Sequence, residues 1–148
     1  MPALKNRHMK ITAPIVIVDD DIEDQEIFED VMKELEISHP RVYFSQCKNA
    51  FDFLQTAPDQ PFLILCDINL PEITGLEFKK QIDADSELRK KSIPFVFFST
   101  STAKNDVDEA FTQMTVQGFF KKEQSIDDLK RTVTVIMDYW KLCKHPNS

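Results

Sequence analysis

Polar side chains that can take part in chemistry follow four short apolar segments of this 148-residue chain. Each segment has the length and composition of a strand that is buried on both faces, as strands of parallel sheets are. The polar residues at the segment ends are Asp19 and Asp20, Asp67, Ser99, and Lys122. Because open α/β folds place their ligand sites at the carboxyl edge of the sheet, we expect these side chains to meet there.

The chemistry that this set of residues favours is phosphoryl transfer to a carboxylate. Clustered carboxylates repel one another and require a cation, and a set of oxygen ligands suits Mg²⁺. A carboxylate such as Asp67 can act as a nucleophile toward phosphorus and form an aspartyl-phosphate. The ammonium of Lys122 and the hydroxyl of Ser99 can both donate to phosphoryl oxygens.

Helical patterns alternate with the apolar segments along the chain. The predicted strands lie at residues 15–18, 42–44, 62–66, 93–98 and 118–120, and apolar helix faces are predicted within 27–35, 50–54, 76–82, 107–114 and 126–140. This alternation predicts an α/β fold in which helices cover both faces of a doubly wound, five-stranded parallel sheet. We expect a flexible N-terminal extension at 1–12, one domain at 13–143 and a polar tail at 144–148.

The composition restricts the classes of function. A net charge of −7 argues against direct binding of nucleic acid or anionic membranes, and no apolar stretch is long enough to span a bilayer. The three cysteines are widely spaced and form no metal-ligand pair, which is typical of reduced thiols in a cytoplasmic protein. The three histidines, His8, His39 and His145, lie outside every motif and are expected to be exposed.

Four motifs together resemble the receiver domain of two-component response regulators, the chemotaxis-type family. They are IVIVDD at 15–20, LILCDINLPEITG at 63–75, IPFVFFST at 93–100 and GFFKK at 118–122. The resemblance extends from Ile15 to Leu142. It implies a flavodoxin-like (βα)5 fold with strand order 2-1-3-4-5, and a bacterial, cytoplasmic signalling protein that is not a turnover enzyme.

The resemblance also implies roles for individual residues. Asp67 would be the phosphoacceptor, Lys122 would bind the phosphoryl group, and Ser99 and Phe119 would form a switch that responds to it. The implied Mg²⁺ ligands are Asp20, Asp67, the backbone carbonyl of Asn69 and, through water, Asp19. Pro71 and Gly75 would shape the loop that follows Asp67.

The implied phosphoryl donor is a phosphohistidine of a sensor histidine kinase or a histidine phosphotransfer protein. Because no effector domain follows the receiver-like segment, we expect a stand-alone regulator whose output is a contact with a downstream protein. Among the departures from the family pattern, Glu123 stands where a proline usually follows the lysine in a cis peptide. A non-proline cis bond costs about 3 kcal/mol, so a trans bond is expected here.

Three alternatives to this hypothesis differ in class. A receiver-like adaptor that has lost phosphorylation has the missing proline after Lys122 as its only support. An aspartyl-phosphate phosphatase needs a second Asp two residues after the nucleophile, where this chain has Asn69. A flavin carrier needs a loop rich in hydroxyls and glycine after the first strand, where Asp19, Asp20 and Asp21 would repel the flavin phosphate.

Overall fold

The fold is a five-stranded parallel sheet with helices on both faces. A computed structural model describes residues 13–58, 60–100 and 103–147, and the predicted extension at 1–12 lies outside them. The strands are β1 (Ile15–Val18), β2 (Arg41–Phe44), β3 (Leu63–Cys66), β4 (Phe95–Ser99) and β5 (Gly118–Lys121). Their order, β2-β1-β3-β4-β5, confirms the predicted topology.

Six helices are found in the described part of the chain, one more than predicted. They are α1 (Ile22–Glu34), α2 (Cys47–Thr56), α3 (Gly75–Ala84), α4 (Ser86–Lys91), α5 (Lys104–Gln113) and α6 (Ile126–Leu142). The unpredicted helix is α4, which buries only Leu88 and so has no apolar periodicity to recognise. Its stabilisation is polar, because Oδ1 of Asp85 accepts hydrogen bonds of 3.0 Å from the backbone N–H groups of Glu87 and Leu88.

The sheet separates two apolar layers, because successive strand residues point to opposite faces. Val16 and Val18 of β1 face a layer that includes Leu54 of α2 and Phe78 of α3. Ile15 and Ile17 face the other layer, which is built mainly by α1 and α6. All residues of β1, β3 and β4 are buried, so the ends of these central strands are held in fixed positions. No helix in the described ranges is long and apolar enough to cross a membrane.

Three apolar residues within the helix ranges predicted to face the core are exposed instead of buried. Ile27 is 39% exposed, and Phe111 and Ile126 are each 54% exposed. Ile27 and Phe111 are each adjacent in sequence to a buried residue, and one step along a helix turns the side chain by about 100°. Ile126 is the first residue of α6 and lies at the edge of the layer.

His145 is buried, so the prediction that it is exposed is wrong; its side chain and backbone are only 3% exposed. Its Nδ1 accepts a 3.1 Å hydrogen bond from the Asn147 backbone N–H, so its Nε2–H donates to the Phe62 carbonyl at 2.7 Å. The ring also stacks on Phe62, with centroids 5.0 Å apart. His39, likewise expected to be exposed, is half-buried and stacks on the same phenyl ring. His8 lies outside the described residues.

Candidate functional site

Backbone pairing places the polar residues of different strands at the same edge of the sheet. Val18 and Cys66 are register partners, so Asp19 and Asp67 leave β1 and β3 at the same level. The Asp67 backbone N–H donates to the Val18 carbonyl at 2.9 Å, which extends the pairing to the site. On the other side, the Lys122 backbone N–H donates to the Ser99 carbonyl at 2.7 Å.

The Lys122 ammonium is the centre of the site. Its Nζ lies 2.6 Å from Oδ2 of Asp19, 3.0 Å from Oδ2 of Asp24 and 3.0 Å from Oδ2 of Asp67. These three contacts match the three donors of an ammonium group. Burial favours the neutral amine, but the hydrogen bonds and negative charges of Asp19 and Asp67 outweigh it and raise the pKa of Lys122.

A cluster of three carboxylates adjoins the ammonium and has the composition of a divalent-cation site. Asp19, Asp20 and Asp67 each offer an oxygen, and these oxygens all lie within 4.8 Å of one another. Asp19 and Asp67 are buried, whereas Asp20 is exposed. Burial raises the pKa of Asp19, and the hydrogen bonds from Lys122 and the Asp21 backbone only partly offset it. One ammonium cannot neutralise this cluster, and oxygen ligands fit Mg²⁺ or a similar ion.

The loop after Asp67 folds back on the Asp67 backbone. The Asn69 N–H donates to Oδ1 of Asp67 at 3.2 Å, and the Gly75 N–H donates to the Ile68 carbonyl at 2.8 Å. A Cβ atom on Gly75 would lie 2.1 Å from the Asp67 carbonyl oxygen, so no other residue fits there without a shift of the backbone. Gly75 therefore fixes the position from which the Asp67 carboxylate projects.

Ser99 and Phe119, the predicted switch pair, lie on neighbouring strands. Ser99 is fully buried at the end of β4. Phe119 is half-buried on β5, opposite Phe97, and the two rings are 5.7 Å apart. Ser99 thus lies at the same sheet edge as Asp67, and the switch role of the pair remains a prediction. The peptide bond between Lys122 and Glu123 is trans.

Two residues that contact the site were not predicted as part of it. Asp24 lies in the first turn of α1, where the helix dipole favours an acid, yet its carboxylate also contacts Lys122. The side-chain amide of Gln25 donates to the Asp19 carbonyl at 2.6 Å and ties α1 to that strand end. A usable signal was present for Asp24, because helical side chains lean toward the N-terminus of their helix, which here faces the carboxyl edge of the sheet.

Comparisons with known proteins agree with this geometry. A family profile described as the response regulator receiver domain matches residues 15–134. The probable methanogenesis regulatory protein FilR2 of Methanothrix harundinacea is 36% identical over 97 residues, which are 63% of this chain and 61% of that protein. This chain thus spans less than two thirds of the length of FilR2. Rcp1 of Synechocystis sp., described as a response regulator, is 29% identical over 131 residues, or 85% of this chain and 87% of Rcp1.

Solved structures show the same fold. The Mn²⁺-bound form of Rcp1 matches with a TM-score of 0.77 at 28% identity, over 90% of this chain and 99% of that one. The phosphorylated cyanobacterial phytochrome response regulator RcpA matches with a TM-score of 0.78 at 25% identity, over 88% and 95% of the two chains. With the family profile covering most of its length, this chain belongs to the response regulator receiver domain family of two-component signalling proteins.

Proposed function

We propose that this protein accepts a phosphoryl group on Asp67 from a phosphohistidine of a sensor histidine kinase or a histidine phosphotransfer protein, in a Mg²⁺-dependent reaction. The observation that carries the proposal is the contact of the Lys122 ammonium with Asp67 and Asp19, at 3.0 and 2.6 Å, beside the three-carboxylate cluster. Receiver domains are generally signalling proteins rather than turnover enzymes, and we propose the same for this chain.

In this reaction a carboxylate oxygen of Asp67 attacks phosphorus. A bond forms between that oxygen and phosphorus while the bond from phosphorus to the histidine nitrogen breaks, and the leaving imidazole keeps the electron pair. The N–H of Lys122 that now points to Asp67 is placed to donate to a phosphoryl oxygen as negative charge shifts toward the acceptor.

The cation would be held by Asp20, Asp67 and the Asn69 backbone carbonyl, with Asp19 supporting it through water. Receiver domains bind a divalent metal, and the relative Rcp1 has a Mn²⁺-bound form. Bound there, Mg²⁺ would supply positive charge against the phosphoryl oxygens. The Lys122 ammonium alone leaves the carboxylate cluster with excess negative charge, which supports the proposal.

The output would be a change in the face formed by α5, β5 and α6. Ser99 would turn toward the phosphoryl group, and Phe119 would follow it inward. We propose that a downstream protein reads this face, in the manner of a single-domain regulator, without direct binding of nucleic acid or insertion into a membrane. A cytoplasmic location is supported by Cys47, Cys66 and Cys143, all of which are free thiols.

The test is labelling by acetyl phosphate, followed by intact-mass measurement. We expect the unsubstituted protein to gain one phosphoryl group in Mg²⁺ and none in excess chelator. Asp67→Asn should gain none, while Asp30→Asn, which removes an exposed carboxylate of α1, should behave as the unsubstituted protein does. Undiminished labelling of Asp67→Asn would refute the proposal.

The adaptor hypothesis remains distinguishable from this proposal. An adaptor that has lost its chemistry has no need of a cation, so titration calorimetry with Mg²⁺ should give no binding heat. The proposal requires binding that is lost in Asp20→Asn. The intact cluster of Asp19, Asp20 and Asp67 beside Lys122 favours phosphorylation over the adaptor role.

A further inference from the structure

Asp24 gives the Lys122 ammonium a third carboxylate partner. Its Oδ2 lies 3.0 Å from Nζ, the same distance as Oδ2 of Asp67. The Lys122 side chain is 12% exposed and that of Asp24 is 37% exposed, so this contact lies at the mouth of the site. Asp24 is not a member of the three-carboxylate cluster formed by Asp19, Asp20 and Asp67, so its contact with the site is through the lysine.

The position of Asp24 is fixed by the start of α1. Asp21 caps the helix, and its Oδ1 accepts hydrogen bonds from the backbone N–H groups of Glu23 and Asp24 at 2.9 and 3.3 Å. The side chain of Asp24 therefore leaves a backbone that is already held. Glu23, one residue earlier in the same turn, is exposed and has no ion-pair partner among the described residues.

We propose that Asp24 is a positioning residue for Lys122 in phosphoryl transfer to Asp67, an inference that rests on the function proposed above. When the Asp67 carboxylate bonds to phosphorus, the lysine N–H that it had accepted is released to a phosphoryl oxygen. Asp19 and Asp24 continue to accept the other two N–H groups. The ammonium is thus held on two sides while its third hydrogen remains directed at the acceptor.

Two anchors matter because a lysine side chain is long and flexible. Such a side chain loses conformational entropy when it is ordered, and an ammonium held from one side can rotate its hydrogens away from the acceptor. Asp19 makes the shortest contact with the ammonium, at 2.6 Å, but it is also expected to support the cation through water. Asp24 has no such second role, so it can hold the lysine throughout.

The inference is tested with a graded pair of variants and a matched control. Asp24→Asn keeps an uncharged, weaker hydrogen-bond acceptor for the Lys122 ammonium, and Asp24→Ala removes the acceptor altogether. Glu23→Gln and Glu23→Ala remove the same charge from the same helical turn without touching Lys122. We expect the rate of labelling by acetyl phosphate at saturating Mg²⁺ to fall about three- to tenfold in Asp24→Asn and further in Asp24→Ala, with both Glu23 variants unchanged. The Mg²⁺ dissociation constants of the Asp24 and Glu23 variants should agree within about twofold.

A second readout does not depend on phosphorylation. In ¹⁵N-labelled protein, exchange of the Lys122 ammonium hydrogens with water should be slow and should accelerate in Asp24→Ala but not in Glu23→Ala. Unchanged exchange, or labelling that is as fast in Asp24→Ala as in Glu23→Ala, would overturn the inference. Absence of labelling in the unsubstituted protein would instead overturn the proposed function, while the exchange measurement would still decide whether Asp24 holds the lysine.

Discussion

The Nζ atom of Lys122 lies 3.0 Å from Oδ2 of Asp67, although the two residues are 55 positions apart in sequence. Each side chain projects from the carboxyl end of a strand, Asp67 after β3 and Lys122 after β5, and β4 lies between them in the sheet. The parallel arrangement brings both ends to one edge. The proposed phosphoryl transfer depends on this juxtaposition.

Replacing Lys122 by Met should damage both chemistry and stability. The substitution leaves Asp19 and Asp67 buried without their cation, which should cost about 3 kcal/mol of unfolding free energy in metal-free buffer. Urea denaturation would measure this loss. Added Mg²⁺ should raise the free energy of unfolding more in the variant than in the unsubstituted protein. Lys121→Met, at an exposed position of β5, should leave both stability and labelling nearly unchanged.

Gly75→Ala should destabilise the fold at the phosphorylation loop. The new Cβ would meet the Asp67 carbonyl oxygen at 2.1 Å, and a backbone atom cannot move aside cheaply. We expect a loss of about 2 kcal/mol or more in urea denaturation. In Gly118→Ala the nearest atom is the ring carbon Cε2 of Phe120 at 3.1 Å, which can shift, so this control should lose less. Equal losses in the two variants would show that the close approach at Gly75 is unimportant.

Ser99→Ala should separate phosphorylation from its output. Ser99 neither supplies the nucleophile nor belongs to the carboxylate cluster, so labelling of the variant by acetyl phosphate should persist. Labelling of the unsubstituted protein should shift the backbone amide signals of Phe119 and its β5 neighbours in NMR spectra. We expect these shifts to shrink in the variant. Shifts of full size would argue against the switch role of Ser99.

Stability should fall in mild acid because of His145. Burial, with the nearby charge of His39, lowers the pKa of His145 below its usual 6.5. The folded protein therefore binds a proton at His145 less readily than the unfolded chain, whose pKa is 6.5. The contribution of His145 to the free energy of unfolding is fully present above pH 6.5 and is lost as the pH falls through the folded-state pKa. Burial also lowers the pKa of half-buried His39, so the contribution of His39 to stability is lost in the same direction of pH.

The measurement is urea denaturation at about pH 8 and about pH 5, with Trp140 fluorescence as the probe, since the Trp140 and His145 rings are 5.2 Å apart. His145→Gln keeps a donor for the Phe62 carbonyl but cannot titrate. Its loss of stability between the two pH values should be smaller than that of the unsubstituted protein, and an equal loss would contradict the assignment. His39 titrates in both proteins, so the difference between them reports His145 together with its interaction with His39.

Much of the fold could be predicted from the sequence because its signals are local. The buried central strands are continuous apolar runs, and each is followed by a polar residue or a turn, so the sheet edge that carries Asp67 and Lys122 was recognisable. The short helix α4 was missed because one buried leucine gives no periodicity.

Other features depend on tertiary contacts that the spacing of residues does not reveal without knowledge of how the elements pack. The burial of His145 results from the docking of the tail on Phe62 and Trp140, which no local pattern records. The contact of Asp24 with Lys122 joins residues 98 positions apart, and an acid in a first helical turn is already explained by the helix dipole. Because the helix dipole is a sufficient reason for an acid at this position, the sequence gives little cause to look for the contact with Lys122.

The most direct test of the proposed function is to identify the labelled residue. Protein treated with acetyl phosphate and Mg²⁺ can be reduced with borohydride, which converts an aspartyl-phosphate into a homoserine at the same position, and then mapped by peptide mass spectrometry. We expect the reduced residue to be Asp67 and no other. Reduction at a different carboxylate, or a label that withstands borohydride, would contradict the proposal that Asp67 receives the phosphoryl group.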